Sequence, residues 1–200
     1  MKKERYKSRH LQNRLPQGQN KIVLITGARQ TGKTTIAKKH YSKIKYLNLD
    51  APEIREKIRK ISTYSWVRDV GEAILDEVQK EPVALEKIKY CYDEKSLEFS
   101  VLLGSSQLML IKKVRESLAG RISLYELFPF MLSEMIEQNK LSSPLIDKIL
   151  SEESADEVLR NEASVLLGVE EENKKRALNY LLSWGGMPAL IAMESSEEKK

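Results

Sequence analysis

Cysteine and histidine are scarce in this chain, and long apolar runs are missing. The single cysteine, Cys91, cannot form an intrachain disulfide, which argues against a disulfide-stapled secreted domain. The two histidines, His10 and His40, are isolated from each other, so no cluster with metal-ligand spacing is visible. The apolar runs are only a few residues long, and the polar N-terminus lacks the apolar stretch of a secretory signal. These absences predict no membrane-spanning segment and favour a cytoplasmic protein.

Charge is distributed unevenly along the 200 residues. Residues 1–60 carry 17 Lys/Arg and four Asp/Glu, a net +13, whereas residues 61–200 carry 17 Lys/Arg and 25 Asp/Glu, a net −8. Hydrophobic residues make up 41% of the chain, which suffices for one sizeable core. The basic first third indicates either an anion site near the front of the chain or a basic tail that only favours solubility.

Short apolar segments alternate with helical patterns as far as residue 130. Strands are predicted at 21–26, 44–49, 73–75, 100–103 and 122–127. Helices are predicted from Lys33, from Pro52, from Pro82 and around Leu110, Val114 and Leu118. Strands separated by helices predict an α/β domain with a five-stranded parallel sheet covered on both faces. Glu72, directly before the third predicted strand, interrupts the apolar run that leads into it. This acidic residue casts doubt on the geometry of that strand.

The strand pattern stops after residue 130, and helical patterns follow in 133–139, 144–150, 155–167 and 173–184. The predicted regions are a basic N-terminal arm at 1–20, an α/β core at 21–130, a small helical lid subdomain at 131–190 and a frayed tail at 191–200.

A glycine-containing segment follows the first predicted strand and fits G-x-x-x-x-G-K-[ST] at every constrained position. Its residues are Gly27, Ala28, Arg29, Gln30, Thr31, Gly32, Lys33 and Thr34, followed by Thr35. Glycines let such a loop curl, so that its backbone N–H groups converge on phosphate oxygens at a helix N-terminus. Lys33 can reach the β- and γ-phosphates, and the Thr34 hydroxyl can bind Mg²⁺. The segment therefore predicts a site for ATP and Mg²⁺.

Two carboxylates, Asp76 and Glu77, follow the third predicted strand. Asp76 can hold Mg²⁺ and Glu77 can activate the attacking water, although a pair of solvated acids in a loop has the same spacing. Ser105 and Ser106 follow the fourth strand, where either can position water or form an ordinary turn. Arg121 directly precedes the fifth strand. It either stabilises charge across a subunit contact or is a surface arginine at the C-terminus of a helix.

Taken together, the motifs resemble those of the prokaryotic AAA-type ATPases that usually carry a C-terminal domain of unknown function. The matching segments are 27–35 (GARQTGKTT), 46–52 (YLNLDAP), 75–79 (LDEVQ), 103–108 (LGSSQL), 117–121 (SLAGR) and 185–188 (GGMP). The resemblance implies an AAA+ core with a helical lid, Walker A residues at Lys33 and Thr34, and Walker B residues at Asp76 and Glu77. It also implies a sensor at Ser106, with Ser105 as the less favoured choice, and an arginine finger at Arg121.

Asp50 also matches a recurrent position of that family, although its own sequence context indicates only a helix-capping acid. Members of the family usually continue beyond the Gly-Gly-x-Pro segment. The expectation is therefore a core whose further C-terminal domain is absent from this chain.

The leading function hypothesis is Mg²⁺-dependent ATP hydrolysis coupled to an unidentified protein partner, with a homo-oligomer required if Arg121 acts on a neighbour. The alternative is a nucleotide-dependent switch or partner-binding module with negligible turnover. A small-molecule kinase is disfavoured because the region after residue 130 lacks an arginine-rich lid. The basic arm matches no groove-reading motif, so nucleic acid is a minor candidate, and a solvated arm or one near the adenine is favoured.

Overall fold

The computed structural model describes residues 7–18, 21–105, 114, 118–136, 154–161 and 169–193. The strands are Lys21–Thr26 (β1), Lys45–Asn48 (β2), Ala73–Asp76 (β3), Phe99–Leu103 (β4) and Ile122–Glu126 (β5). The helices are Lys33–His40 (α1), Pro52–Lys60 (α2), Trp66–Asp69 (α3), Val83–Asp93 (α4), Leu132–Ile136 (α5), Ala155–Asn161 (α6), Val169–Trp184 (α7) and Pro188–Ala192 (α8), and 3₁₀ turns span His10–Asn13 and Val78–Lys80.

In the described part of the chain the strands form one five-stranded sheet in the order β2-β3-β4-β1-β5, with every neighbouring pair parallel. The α/β prediction is confirmed. Strands β3 and β4 are buried along their whole length, as is β1 apart from Lys21, which explains their near-continuous apolar sequences. Because parallel strands end at the same edge, the segments after β1, β3 and β4 lie side by side, with β4 between the other two.

The third strand is regular, contrary to the concern raised by Glu72. Strand β3 begins at Ala73, and Glu72 lies just outside it as an exposed residue. The acidic side chain therefore remains in water while the four strand residues are buried, and the strand carries Asp76 at its end without distortion.

A buried lysine joins helices α2 and α4. The ammonium group of Lys87 donates hydrogen bonds to the carbonyl oxygens of Ile58 (2.7 Å), Arg59 (3.1 Å) and Ile61 (2.6 Å). These carbonyls close the last turn of α2, where the helix itself supplies no donors. The buried carboxylate of Glu81 pairs with Arg59 at 2.8 Å beside them. Burial lowers the pKa of Lys87, whereas the charge of Glu81 acts to raise it.

Replacing Lys87 by Met is expected to lower the free energy of unfolding by about 2 kcal/mol, because carbonyls that accept from a charged donor lose it. The methionine keeps the apolar stem, so the change isolates the ammonium group. Urea denaturation measures the effect, with Lys57→Met on the exposed face of α2 as the matched control. A midpoint for Lys87→Met equal to that of the control contradicts the capping role.

The chain divides into two compact units, and the first of them joins the N-terminal residues to the helical region. It consists of the described residues of Met1–Asn13 and Pro129–Lys200. Within it, Arg9 is 4% exposed, pairs with the buried Glu134 at 3.2 Å and lies over the ring of Phe130 at 4.2 Å. The same carboxylate accepts hydrogen bonds from the backbone N–H groups of His10 and Met131. The expectation of a solvated basic arm is therefore wrong for Arg9.

Two glycines shape the end of helix α7 in this unit. Gly185 adopts φ +74° directly after the helix, and its N–H donates to Leu181. A Cβ on Gly186 would lie 2.3 Å from the carbonyl oxygen of Phe130, and the Phe130 N–H donates to the Gly186 oxygen at 2.7 Å. The Gly-Gly pair thus allows close backbone contact with the segment before α5.

The other unit, Arg14–Phe128, contains the sheet and helices α1 to α4. Its core includes Trp66 and Cys91, and Cys91 packs there as a small apolar residue. Of the helix predicted around Leu110, only Val114 and Leu118 are described, and both are helical and buried. Of the frayed tail predicted at 191–200, residues 191 and 192 are helical in α8, and 194–200 lie outside the described residues. The segment predicted as helical at 144–150 also lies outside them, and the role of 131–190 as a lid stays a prediction. None of the described helices is long and apolar enough to cross a membrane.

Candidate functional site

The glycine-containing loop leaves β1 at the carboxyl edge of the sheet, and Gly27 starts it. Gly27 has φ +152°, and a Cβ there would lie 2.2 Å from the carbonyl oxygen of Leu127. Leu127, the residue after β5, lies this close to Gly27 because its N–H donates to the Thr26 oxygen at 2.8 Å. Only glycine fits this position, since any side chain would displace the backbone beside it.

The loop then curls back on itself before helix α1. Gln30 (φ 64°) and Gly32 (φ 94°) both take left-handed conformations, and the buried Thr31 donates its hydroxyl to the Ala28 oxygen at 2.9 Å. No side chain caps the N-terminus of α1, whose N-cap is Gly32. The first amides of the helix are thus left for an anion, which the partial positive charge of a helix N-terminus favours.

Lys33 lies across this loop with most of its side chain buried. Its ammonium group donates to the carbonyl oxygens of Gly27 at 3.1 Å and Ala28 at 2.8 Å. Burial lowers the pKa of Lys33, while the negative charges of Glu77 and Asp76 act to raise it. The structure therefore places a cation at the loop, held by carbonyls that a phosphate oxygen can replace.

Thr34 and Asp76 meet, as their sequence positions predicted. The Thr34 hydroxyl donates to Asp76 Oδ2 at 2.6 Å, which joins α1 to the end of β3. Tyr46 of β2 donates its hydroxyl to the same oxygen at 2.9 Å. The other oxygen, Oδ1, accepts the backbone N–H of Glu77 at 3.0 Å. Asp76 is buried and its two oxygens are held by these donors, so its orientation is fixed.

Glu77 lies directly after the strand in a left-handed conformation, with φ 56° and ψ 44°. The side-chain amide of Gln79 donates to Glu77 Oε2 and holds the carboxylate from one side. A non-glycine residue in this conformation costs about 1 kcal/mol, a cost that hydrogen bonding around it offsets. Glu77 is half-buried and stands beside Asp76 at the sheet edge, where a carboxylate can reach a bound water.

Ser105 follows β4, the strand between those that carry the loop and the carboxylates. The Gly104 N–H donates to the Ile25 oxygen at 3.2 Å, which anchors this turn to β1. The hydroxyl of Ser105 is buried and has no hydrogen-bond partner in the described part of the chain. Ser106, the favoured sensor residue of the sequence analysis, lies outside the described residues.

Arg121 lies where the strands begin, beside the opposite end of β1 from the loop. Its carbonyl oxygen accepts the N–H of Ile22 at the start of β1, about 16 Å along the strand from Gly27. The guanidinium group pairs with Asp93 through two nitrogens, one of them at 3.0 Å, and lowers the pKa of that carboxyl group. Arg121 therefore does not reach the loop of its own chain.

Asp50 does not cap a helix, so that interpretation of its side chain is wrong. Helix α2 has Ala51 at its N-cap without a side-chain cap, because Pro52 begins the helix and needs no N–H partner. The Asp50 carboxylate instead pairs with Lys80, whose hydrogen bond lowers the pKa of Asp50. This contact ties the segment after β2 to the segment after β3.

Sequence reasoning missed Tyr46 and Gln79 as partners of the two carboxylates. Tyr46 is predicted only as a member of the second strand and of a matching segment, and Gln79 only as part of a matching segment. The signal for Tyr46 was present in the strand register: Asn48 pairs with Asp76, and Tyr46 with Ile74. Because side chains alternate, Tyr46 shares a sheet face with Asp76.

The side-chain oxygens of Thr34 and Asp76, at the carboxyl ends of the strands, are suitable ligands for Mg²⁺. Thr34 supplies a hydroxyl oxygen and Asp76 a carboxylate oxygen, the hard ligands that this ion prefers, 2.6 Å apart. Among the described residues no group of three or more His, Cys, Asp or Glu can hold a metal ion. Mg²⁺ typically takes one or two protein oxygens and completes its shell with phosphate and water, so this sparse set matches the ion.

A parallel sheet whose first strand opens through such a loop into a helix defines a P-loop nucleotide-binding domain. A family model described as "AAA domain" matches residues 19–136, more than half of the chain. The chain therefore belongs to the AAA domain family, and its resemblance to AAA-type ATPases is confirmed.

Two solved structures resemble the chain at low identity. The Aeropyrum pernix ORC1 protein, solved in complex with DNA, is 13% identical with a TM-score of 0.39, over 80% of this chain and 59% of that one. A Pyrococcus horikoshii Signal Transduction ATPase with Numerous Domains, which has a tetratricopeptide repeat sensor, is 15% identical with a TM-score of 0.45, over 93% of this chain and 28% of that one. The chain thus spans less than two thirds of either structure. No curated protein matches the sequence.

Proposed function

We propose that this AAA domain binds ATP with Mg²⁺ and hydrolyses it to ADP and phosphate. The observation that carries the proposal is the 2.6 Å contact between Thr34 and Asp76, made beside a buried lysine that spans the loop. This brings a phosphate-binding cation and two Mg²⁺ ligands to one edge of the sheet. A turn that served only structure would not need these three groups together.

In this proposal the loop amides and Lys33 bind the β- and γ-phosphates, and Thr34 and Asp76 hold the ion. Mg²⁺, when bound, would neutralise charge on the phosphate oxygens. Glu77 orients a water and accepts its proton while the water oxygen forms a bond to the γ-phosphorus. The bond from that phosphorus to the bridging oxygen breaks, and its electron pair leaves with ADP. The buried Ser105 hydroxyl, without a hydrogen-bond partner in the described part of the chain, supports a contact of this serine with that water or with the γ-phosphate. Such a contact is predicted from the sequence for either Ser105 or Ser106.

Replacing Glu77 by Gln tests the assignment of the base. We expect phosphate release to fall about 100-fold, because an amide cannot accept the proton of the attacking water. ATP binding is expected to remain, since Glu77 lies outside the phosphate loop. Glu86→Gln, an exposed position on α4, is the matched control and should leave turnover unchanged. Full turnover by Glu77→Gln would remove Glu77 from the mechanism.

A second candidate function, a nucleotide-dependent switch with negligible turnover, is supported by two contacts. Gln79 holds the Glu77 carboxylate, and Arg121 is paired with Asp93 far from the loop of its own chain. A chain on its own then lacks one source of charge stabilisation. Phosphate release over a series of protein concentrations separates the candidates. A specific rate that rises with concentration supports hydrolysis within a homo-oligomer, and a flat rate near zero supports the switch.

The partner coupled to nucleotide binding is proposed to be another protein. DNA is the secondary candidate, because the first 60 residues carry net charge +13. Measuring ATP turnover with and without DNA, alongside sedimentation of the same samples, distinguishes the two. Stimulation by DNA with a change in assembly would favour the nucleic acid.

A further inference from the structure

Tyr46 lies next to the proposed metal site but outside the loop and the carboxylate pair. It belongs to β2, an edge strand of the sheet, and lies on the same face as Asp76 of the neighbouring strand β3. Its hydroxyl donates to Asp76 Oδ2 at 2.9 Å, and the hydroxyl of Thr34 donates to this same oxygen.

Each donor holds Asp76 from a different element. Thr34 belongs to α1, Tyr46 to β2, and the Glu77 N–H to the chain just after β3. Thr34 would bind Mg²⁺ through a lone pair of its oxygen, and its O–H proton would stay available to Asp76. Tyr46 restrains the same carboxylate oxygen from β2, independently of α1, while the Glu77 N–H holds the other oxygen.

The ring of Tyr46 is itself fixed by a contact with α1. The ammonium group of Lys38 lies 3.5 Å from the centroid of the ring, a cation–π contact. Lys38 is four residues after Thr34 and so lies on the same face of α1. The helix that carries the proposed metal ligand thus also clamps the phenol that orients the second ligand.

We propose that Tyr46 is a positioning residue for the Mg²⁺ site, acting through Asp76 without contact with nucleotide. The inference rests on the proposed function, because it assigns to Asp76 the role of metal ligand. Groups that hydrogen-bond a metal ligand fix its orientation, and their removal commonly lowers metal affinity by tenfold or more. The phenol supplies that restraint from β2, an element that carries no other group of the proposed site.

The test is Tyr46→Phe, which removes the hydroxyl and keeps the ring under Lys38. Mg²⁺ is titrated against the variant at a fixed concentration of a fluorescent, slowly hydrolysed ATP analogue, and analogue binding is followed directly. We expect the half-saturating Mg²⁺ concentration to rise about tenfold. Binding of the analogue in EDTA should stay at the wild-type level, because the loop and Lys33 are intact.

Tyr41→Phe is the matched control. Tyr41 is buried, whereas Tyr46 is half-buried. The Tyr41 hydroxyl has no hydrogen-bond partner in the described part of the chain, so the same atom is removed away from the site. Its Mg²⁺ titration should match the wild type. Thermal unfolding of both variants without nucleotide shows whether either change acts only on stability.

Asp76→Asn separates failure of this inference from failure of the proposed function. If Asp76→Asn weakens the Mg²⁺ response and Tyr46→Phe does not, Tyr46 is no positioning residue and the function stands. If neither variant alters the response, Asp76 is no metal ligand and both proposals fail. A melting temperature lowered in Tyr46→Phe with an unchanged Mg²⁺ titration also overturns the inference, since the hydroxyl is then only structural.

Discussion

Replacing Lys33 by Met is expected to lower kcat/KM for ATP hydrolysis about 1,000-fold, with most nucleotide binding lost at concentrations that saturate the wild type. The ammonium group is the cation that the structure places within the loop, 2.8 Å from the Ala28 oxygen. A donor of this kind stabilises the charge that grows on the transferred phosphoryl group, and it also binds that group in the ground state. Both binding and turnover should therefore fall.

Methionine keeps the aliphatic length of lysine, so the loop retains its packing. Lys43→Met, at an exposed lysine after α1, removes the same charge outside the site and serves as the control. Binding of a fluorescent ATP analogue and phosphate release are measured for both variants. Circular dichroism melting confirms that Lys33→Met is folded, and a folded variant with binding like that of Lys43→Met would refute the assigned role.

Replacing Gly27 by Ala is expected to cost more than about 4 kcal/mol of folding free energy and to abolish nucleotide binding. The added Cβ would lie 2.2 Å from the Leu127 oxygen, which belongs to backbone and cannot rotate away. Either the loop leaves its place or the end of β5 separates from β1. Both outcomes disturb the loop amides that we propose bind the phosphates.

Gly120→Ala isolates the steric part of that effect. Gly120 also has a positive φ, +77°, but no atom of the described residues lies within 4 Å of an added Cβ. This control should therefore cost only the conformational strain, about 1–2 kcal/mol. Urea denaturation and analogue binding are compared for the two variants. Equal midpoints would mean that the contact between Gly27 and Leu127 does not constrain the loop.

The sheet and the loop were predictable because local sequence carries them. Buried parallel strands need continuous apolar residues, and the loop needs glycine and lysine at fixed spacing. The strand at 21–26 and the loop at 27–34 are therefore recognisable from their own residues. Glu72 misled because it lies directly before β3 and not within it, so its acidic side chain stays in water and does not interrupt the strand. Asp50 misled because an acid before Pro52 is typical of a cap, whereas Lys80, thirty residues later, takes its carboxylate.

The contacts that could not be predicted join residues far apart in the chain. Lys87 has the sequence appearance of a surface lysine, yet it binds carbonyls 26 to 29 residues earlier. Arg9 pairs with Glu134, 125 positions away, and nothing in the first residues indicates that partner. Such polar contacts depend on how elements pack in three dimensions, and a single sequence does not encode that in any local pattern.

Arg121 and the phosphate loop lie at opposite ends of β1, and this polarity governs the symmetry of any assembly that uses both. A subunit that offers Arg121 to a neighbour presents the edge where strands begin, and the neighbour receives it at the edge where strands end. Two different patches then meet. Where each pair of subunits shares only one such contact, the contact is heterologous, unlike the reciprocal pair of contacts in a two-fold dimer. Repeating it yields a ring when the rotation closes and an open helical filament when it does not.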